Sequence, residues 1–260
     1  MASDDNNLIY PGGKLRLYVE APLARAARVE PDAAQAHYLI HVMRAKAGDR
    51  IDLFNGRDGE WTAVLAEASK RSCVLQCEAQ LAVQAGVPDV WLVFAPVKKT
   101  PADYVTQKAT ELGVRVLQPV LTRRTIVRRV NEERMRANAI EAAEQSGRLN
   151  VPEVRAPLAL EKLIAQWPHD RRILFCDEAG EAPPIAEALA HARVAAPAEP
   201  GQEQWAVLIG PEGGFDPAER ALIRGQDFVT PVSLGPRILR ADTAGLAALA
   251  VWQALRGDWC

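Results

Sequence analysis

Cysteine is scarce in this chain: its 260 residues hold four, Cys73, Cys77, Cys176 and Cys260. Thiols this few and scattered exclude a disulfide framework and fit a reducing compartment. Only Cys73 and Cys77 lie close together, in SCVLQCEAQ, where a strand would put both on one face. No His or Cys pair elsewhere completes a zinc site, so both read as core thiols and no metal is expected. Long hydrophobic runs are also missing. The longest, Ala244 to Leu255, is too short to span a bilayer, and the start MASDDNNLIYPGGK lacks the basic-then-apolar order of a signal peptide. The expectation is a cytoplasmic protein with no membrane partner. Excess charge of one sign is absent, with 31 Lys and Arg against 33 Asp and Glu. Neither G-x-G-x-x-G nor G-K-S/T occurs, which removes support for a dinucleotide or P-loop triphosphate site.

What is present is unevenly placed. Between Arg115 and Arg136 the run RVLQPVLTRRTIVRRVNEERMR gathers Arg123, Arg124, Arg128, Arg129, Arg134 and Arg136, with Lys98 and Lys99 just upstream. Such a cluster suits either a solvated face or phosphate contacts. Residues 15 to 80 read as a small β-rich module, a barrel of five or six strands with one helix near Pro31 to Arg44. Asn55-Gly56 and Asp58-Gly59 mark a hairpin, and Pro31 suits the helix's first position. His37 and His41, spaced i, i+4 on that helix, lack a third ligand and suit packing or RNA contact. The pattern breaks at Gln84 to Pro88, giving domains 1–84 and 85–260. Beyond the break, strands rich in Val, Leu and Ile (WLVFAPV, RVLQPVLT, RILFCDE, WAVLIG, FVTPVSLG) alternate with helices, which argues for a parallel sheet covered by helices. Thr100, Pro101 and Gly113 punctuate the first of these helices.

Two segments carry chemistry. In VLIGPEGGFDPAE a buried strand ends at Ile209, glycines follow at 210, 213 and 214, and Asp216, Pro217 and Glu219 open a helix as a capping box. Glycines at the carboxyl end of a parallel strand let a ligand approach the backbone, and that edge is where open α/β sheets bind ligands. In VSLGPRILRADTA a second strand ends in Gly-Pro, and Ile238-Leu239 sits between Arg237 and Arg240, before a helix that Asp242 or Thr243 can cap. Two such loops so close in sequence predict one shared pocket, its amides and aliphatic side chains better suited to an adenine ring than to a phosphate.

IGPEGGF and SLGPRILRADTA, with TELGV, TRRT, EAAEQSGR and the N-terminal YLIHVMRAKAGDRIDLFNG, cover nearly the whole chain in order and resemble the 16S ribosomal RNA uracil-N3 methyltransferase family of the SPOUT class. One departure is Asp242, where the family usually has Glu. The resemblance implies an α/β fold, a parallel-sheet methyltransferase domain knotted as a trefoil, with a small N-terminal PUA-like β-barrel that binds RNA. It also implies S-adenosylmethionine as cofactor, a homodimer with its active site at the subunit interface, and methylation of N3 of a uridine, uridine 1498, in 16S rRNA of the small subunit. Carried over residue by residue, it assigns cofactor binding to Ile209, Gly210, Gly214, Leu234, Gly235, Ile238 and Leu239. Glu144, Arg148 and Arg240 become candidates for the proton-handling step, and Lys98, Lys99, Arg123, Arg124 and Arg128 for RNA phosphates. For Glu144 and Arg148, spaced i, i+4, a surface ion pair is the alternative. No covalent nucleophile is needed, so Cys176 reads as core. Another RNA base or a ribose as acceptor, or a non-catalytic ribosome-assembly factor, are the rival readings; a nicotinamide dehydrogenase is disfavoured by its missing fingerprint.

Overall fold

The structure, a computed structural model, describes residues 9–10, 13–97, 102–127, 129–178, 181–192 and 203–259. The expectations for Lys98, Lys99, Thr100, Pro101, Arg128 and Cys260 therefore lie outside the described residues. The chain divides into two compact units, Met1–Gly86 with Ala143–Val151, and Val87–Ala142 with Pro152–Cys260.

In the first unit β1 (Ile9–Tyr10) and β2 (Gly13–Lys14) pair antiparallel. β3 (Arg16–Tyr18), β4 (Arg28–Val29), β5 (Arg50–Phe54), β6 (Glu60–Ala68) and β7 (Cys73–Ala82) form a five-stranded sheet in the order β3-β5-β6-β7-β4. The expected barrel takes the form of this sheet, its end strands β3 and β4. Period-2 alternation sends Ala63, Leu65, Cys73, Leu75 and Cys77 into one core with Leu39, Ile51 and Leu53. Cys73 and Cys77 are thus core thiols, and burial pushes both above their usual range. β5 and β6 pair from Phe54 opposite Glu60. The turn between them has Gly56 and Gly59 at φ +78°, and the Asn55 Oδ1 accepts from the Arg57 and Asp58 amides at 3.0 and 2.9 Å.

The helix α1 (Ala33–His37) continues as a π-helical turn, Tyr38–Val42. Pro31 is not its first residue. Asp32 is the N-cap, accepting from the Gln35 amide while the Gln35 side chain bonds back, so the capping box outcompetes proline's preference for the first position. The His37 and His41 rings lie 4.8 Å apart, and His41 Nε2 contacts the Lys70 carbonyl at 3.0 Å. No group of three or more His, Cys, Asp or Glu is placed to hold a metal among the described residues.

The second unit runs β8 (Val90–Phe94), α2 (Ala102–Glu111), β9 (Val116–Leu121), α3 (Glu132–Ser146), β10 (Glu153–Val154), β11 (Leu158–Ala159), α4 (Leu160–Ala165), β12 (Arg172–Cys176), α5 (Ile185–His191), β13 (Trp205–Ile209), α6 (Pro217–Arg224), β14 (Val229–Val232) and α7 (Ala241–Arg256). Its sheet is parallel throughout, ordered β10-β9-β8-β13-β12-β14, with β11 beside β9. Central strands buried on both faces explain the continuous apolar runs. Val90, Leu92 and Phe94 enter one core with Trp205, Val207, Ile209 and the α7 residues Ala248, Leu249 and Trp252. Trp91, Val93, Ala206 and Leu208 enter another with α4 and α6 residues. At the amino edge of the sheet, the buried Arg171 guanidinium pairs with Asp89 at 2.7 Å and stacks 3.9 Å from the Trp91 ring. That cluster leaves the carboxyl edge for ligands. No helix among the described residues is long and apolar enough to cross a membrane.

Candidate functional site

The site lies in the second unit, where the loops after β8, β9, β12, β13 and β14 converge at the carboxyl edge. Val97, Arg124, Cys176 to Glu178, Ile209 to Phe215 and Val232 to Arg240 enclose a cavity of about 650 Å³ with the first turn of α7. Small-molecule pockets run roughly 300–1,000 Å³, so a nucleoside-sized ligand fits.

Its first wall is the turn after β13. At Gly210 an added Cβ would stand 2.7 Å from the Phe215 ring, which itself packs edge-on against Phe175 at 5.2 Å. Gly214 has φ +66° and donates to the Pro211 carbonyl at 2.9 Å. The predicted capping box is present. Asp216 caps α6, Pro217 follows it, and the Glu219 carboxylate, 1% exposed, accepts from the Asp216 amide at 3.1 Å and from the Arg123 amide at 2.7 Å.

The second wall is the turn after β14. Gly235, at φ +103°, donates to Ser233 Oγ at 3.2 Å, and Ser233 exchanges backbone bonds with Pro183 and Ile185. Leu234 packs against the core cluster from the cavity side. Ile238 is 90% exposed, so core packing does not account for it. The cap expected from Asp242 or Thr243 is not there. Arg240 is the N-cap residue and makes no side-chain cap bond, while Asp242 lies inside the first turn and accepts from the Thr243 amide at 2.7 Å. The extended backbone at Arg240, ψ 154°, starts the helix at Ala241, too early for the Asp242 carboxylate to cap it.

The third wall went unread in the sequence. Asp177, just past β12, is buried and holds Arg220 at 2.9 Å and Arg224 at 2.7 Å, tying α6 to the strand end. Asp177, Glu178, Glu212, Arg220 and Ile126 line the cavity without having been singled out. Position at the carboxyl end of RILFCDE was the available signal for Asp177 and Glu178. Beside them, burial pushes the Cys176 thiol up to about 12, which leaves it protonated and unreactive near neutrality.

All seven residues expected to bind cofactor line this cavity, as do Arg240 and Arg124. Glu144 and Arg148 do not. They belong to the segment of the first unit formed by the end of α3 and the loop after it. There the Glu144 carboxylate accepts the Tyr18 amide at 2.9 Å, and the Arg148 side chain donates to Asn150 Oδ1 at 2.8 Å. The last turn of α3 carries no basic residue. Arg16 supplies one from β3, donating to the carbonyls of Ala143 and Glu144 at 2.9 and 3.1 Å, two of the orphan acceptors of the helix end, and to that of Arg148 in the loop at 2.8 Å. Arg123 pairs with Asp216 at 2.9 Å, and Arg124 donates to the Gly213 carbonyl at 2.8 Å.

Comparison with known proteins identifies both units of the chain. Residues 85–253 match the family model of the RNA methyltransferase domain, and residues 31–77 that of the RNA methyltransferase PUA domain. A relative in Synechocystis, called ribosomal RNA small subunit methyltransferase E, is 33% identical over 92% of this chain and 77% of its own. One of the same name in Rickettsia conorii is 29% identical over 94% of this chain and 97% of its own. A crystal structure of the protein so named in Neisseria gonorrhoeae, bound to S-adenosyl methionine, is 28% identical, covers 95% of this chain and 99% of its own, and superposes with a TM-score of 0.81.

Proposed function

The chain belongs to the ribosomal RNA small subunit methyltransferase E family, and from that premise we propose that it transfers a methyl group from S-adenosylmethionine to N3 of a uridine in 16S rRNA, uridine 1498 by family resemblance. The observation that carries the reading is that both glycine-bearing loops wall one cavity of nucleoside size. The residues fit the cofactor: backbone amides and carbonyls of Gly210, Gly214 and Gly235 border it, and Ile209, Leu234, Ile238 and Leu239 offer apolar surface to an adenine ring. When bound, S-adenosylmethionine supplies a methyl group already activated as a sulfonium. The chain's own task is then to hold, align and exclude water. Loss of the N3 proton to solvent water leaves an anion on the uracil, and Arg240, exposed on the cavity wall, is the proposed cation that stabilises it. Glu144 and Arg148 are proposed instead to anchor the end of α3. Lys98, Lys99 and Arg128 are the proposed phosphate contacts, and the knotted threading of the second unit is part of the same reading.

The family resemblance also supports a homodimer. On α7, Leu246, Ala247, Ala250 and Val251 remain only half buried, an apolar stripe proposed as the twofold contact. The reaction is tested by incubating the protein with labelled S-adenosylmethionine and small ribosomal subunits from a strain lacking the endogenous enzyme. Label recovered as 3-methyluridine in 16S rRNA is expected. Label in another nucleoside would overturn the acceptor, and no cofactor binding at all would leave only an RNA-binding factor.

A further inference from the structure

The T-R-R-T segment, expected to supply phosphate contacts, also packs against the turn after β13. Thr122 and Thr125 are both buried at 3% exposure. They close the turn on itself: the Thr125 amide donates to the Thr122 carbonyl at 3.1 Å, the Thr122 amide to Thr125 Oγ1 at 2.9 Å, and the two hydroxyls meet at 2.9 Å. Buried side chains bonded to their own turn fix its backbone, so the two arginines between them project from a rigid base. What they reach is the glycine loop. The Arg123 amide donates to the buried Glu219 carboxylate at 2.7 Å, the Arg123 guanidinium to Asp216 at 2.9 Å, and the Arg124 guanidinium to the Gly213 carbonyl at 2.8 Å.

A loop with glycines at 210, 213 and 214 has more backbone freedom to lose than one without them, and only some of its conformations keep the cavity wall in place. One bond from the rigid turn, Arg124 to the Gly213 carbonyl, acts on the loop itself, and two from Arg123, to Asp216 and Glu219, fix the helix cap at its far end. We propose that Arg123 and Arg124 are positioning residues for the cofactor, holding the Gly210 to Phe215 loop in its ligand-accepting form. The inference rests on the cavity being the S-adenosylmethionine site. Arg124 acts on the carbonyl of the flexible tip; Arg123 joins the tip's far end to the helix cap. Arg124 directs its charge at the loop and Arg123 at the cap of the helix that follows.

The test uses the full chain as wild type, Arg124→Ala and Arg124→Lys. Calorimetry reads the affinity for S-adenosylhomocysteine, and filter binding at several salt concentrations reads the affinity for 16S rRNA. Arg124→Ala should weaken S-adenosylhomocysteine by about tenfold, as expected for one charge-assisted hydrogen bond. It should leave the slope of RNA affinity against salt unchanged, and Arg124→Lys should recover most of the loss. Unchanged S-adenosylhomocysteine affinity with a salt slope shallower by about 0.7–0.9, the signature of one lost phosphate contact, overturns the proposal. Failure of the wild type to bind S-adenosylhomocysteine would instead refute the cofactor reading on which it stands.

Discussion

Gly210 and Gly214 sit four residues apart in one loop, yet they exclude a side chain for different reasons. At Gly214 the positive φ of +66° costs an L residue about 1–2 kcal/mol, while the nearest obstacle to a Cβ, the Glu178 Oε1 at 2.5 Å, is the end of a flexible side chain that can turn away. At Gly210 the obstacle is the Phe215 ring at 2.7 Å, pinned by Phe175. Overpacking there costs about 1–3 kcal/mol and displaces the wall of the cavity. Gly210→Ala should therefore weaken S-adenosylhomocysteine binding by at least tenfold and more than Gly214→Ala, as read by calorimetry. Wild-type affinity in both variants would mean that the loop does not shape the site. The glycines themselves were legible in the sequence because strand, turn and helix cap follow within one short stretch. Arg16 was not, since the carbonyls it caps lie more than a hundred residues away in sequence. Glu144 and Arg148 were legible only in part. Their i, i+4 spacing was visible, but the partners that give them structural work, Tyr18 and Asn150, were set by the fold.

Helices and strands were legible wherever local chemistry was complete. Asp216 and Glu219 declared α6, and both form the expected box. α4, six residues opened by Ala159 with no side-chain cap, offered too short a period to register. α7 was legible as an apolar helix, but its start was misplaced because the backbone at Arg240, not a carboxylate, ends the preceding loop. The same helix presents Gly245, Ala248, Leu249 and Trp252 to the core and leaves a second apolar stripe half exposed. An arginine at Ala247 would place a charge in the middle of that stripe. Light scattering at micromolar concentration should give twice the chain mass for the wild type and the chain mass for Ala247→Arg. A monomeric wild type would remove the dimer from the account.

At the scale of the molecule, the alternating strands and helices announced a parallel sheet, and the carboxyl edge of that sheet is where the cavity lies. Less legible was the division of the chain, because the end of α3 and the loop after it return to the N-terminal unit. That return is made through contacts distant in sequence, such as Arg16 with the end of α3, which no local pattern marks. The central claim is that cofactor binding belongs to two loops of the second unit. Hydrogen exchange of the full chain with and without saturating S-adenosylhomocysteine tests it most directly. Slowed exchange concentrated in residues 209–215 and 232–244 is the expected result; protection within residues 15–82 with none in those two loops would contradict it.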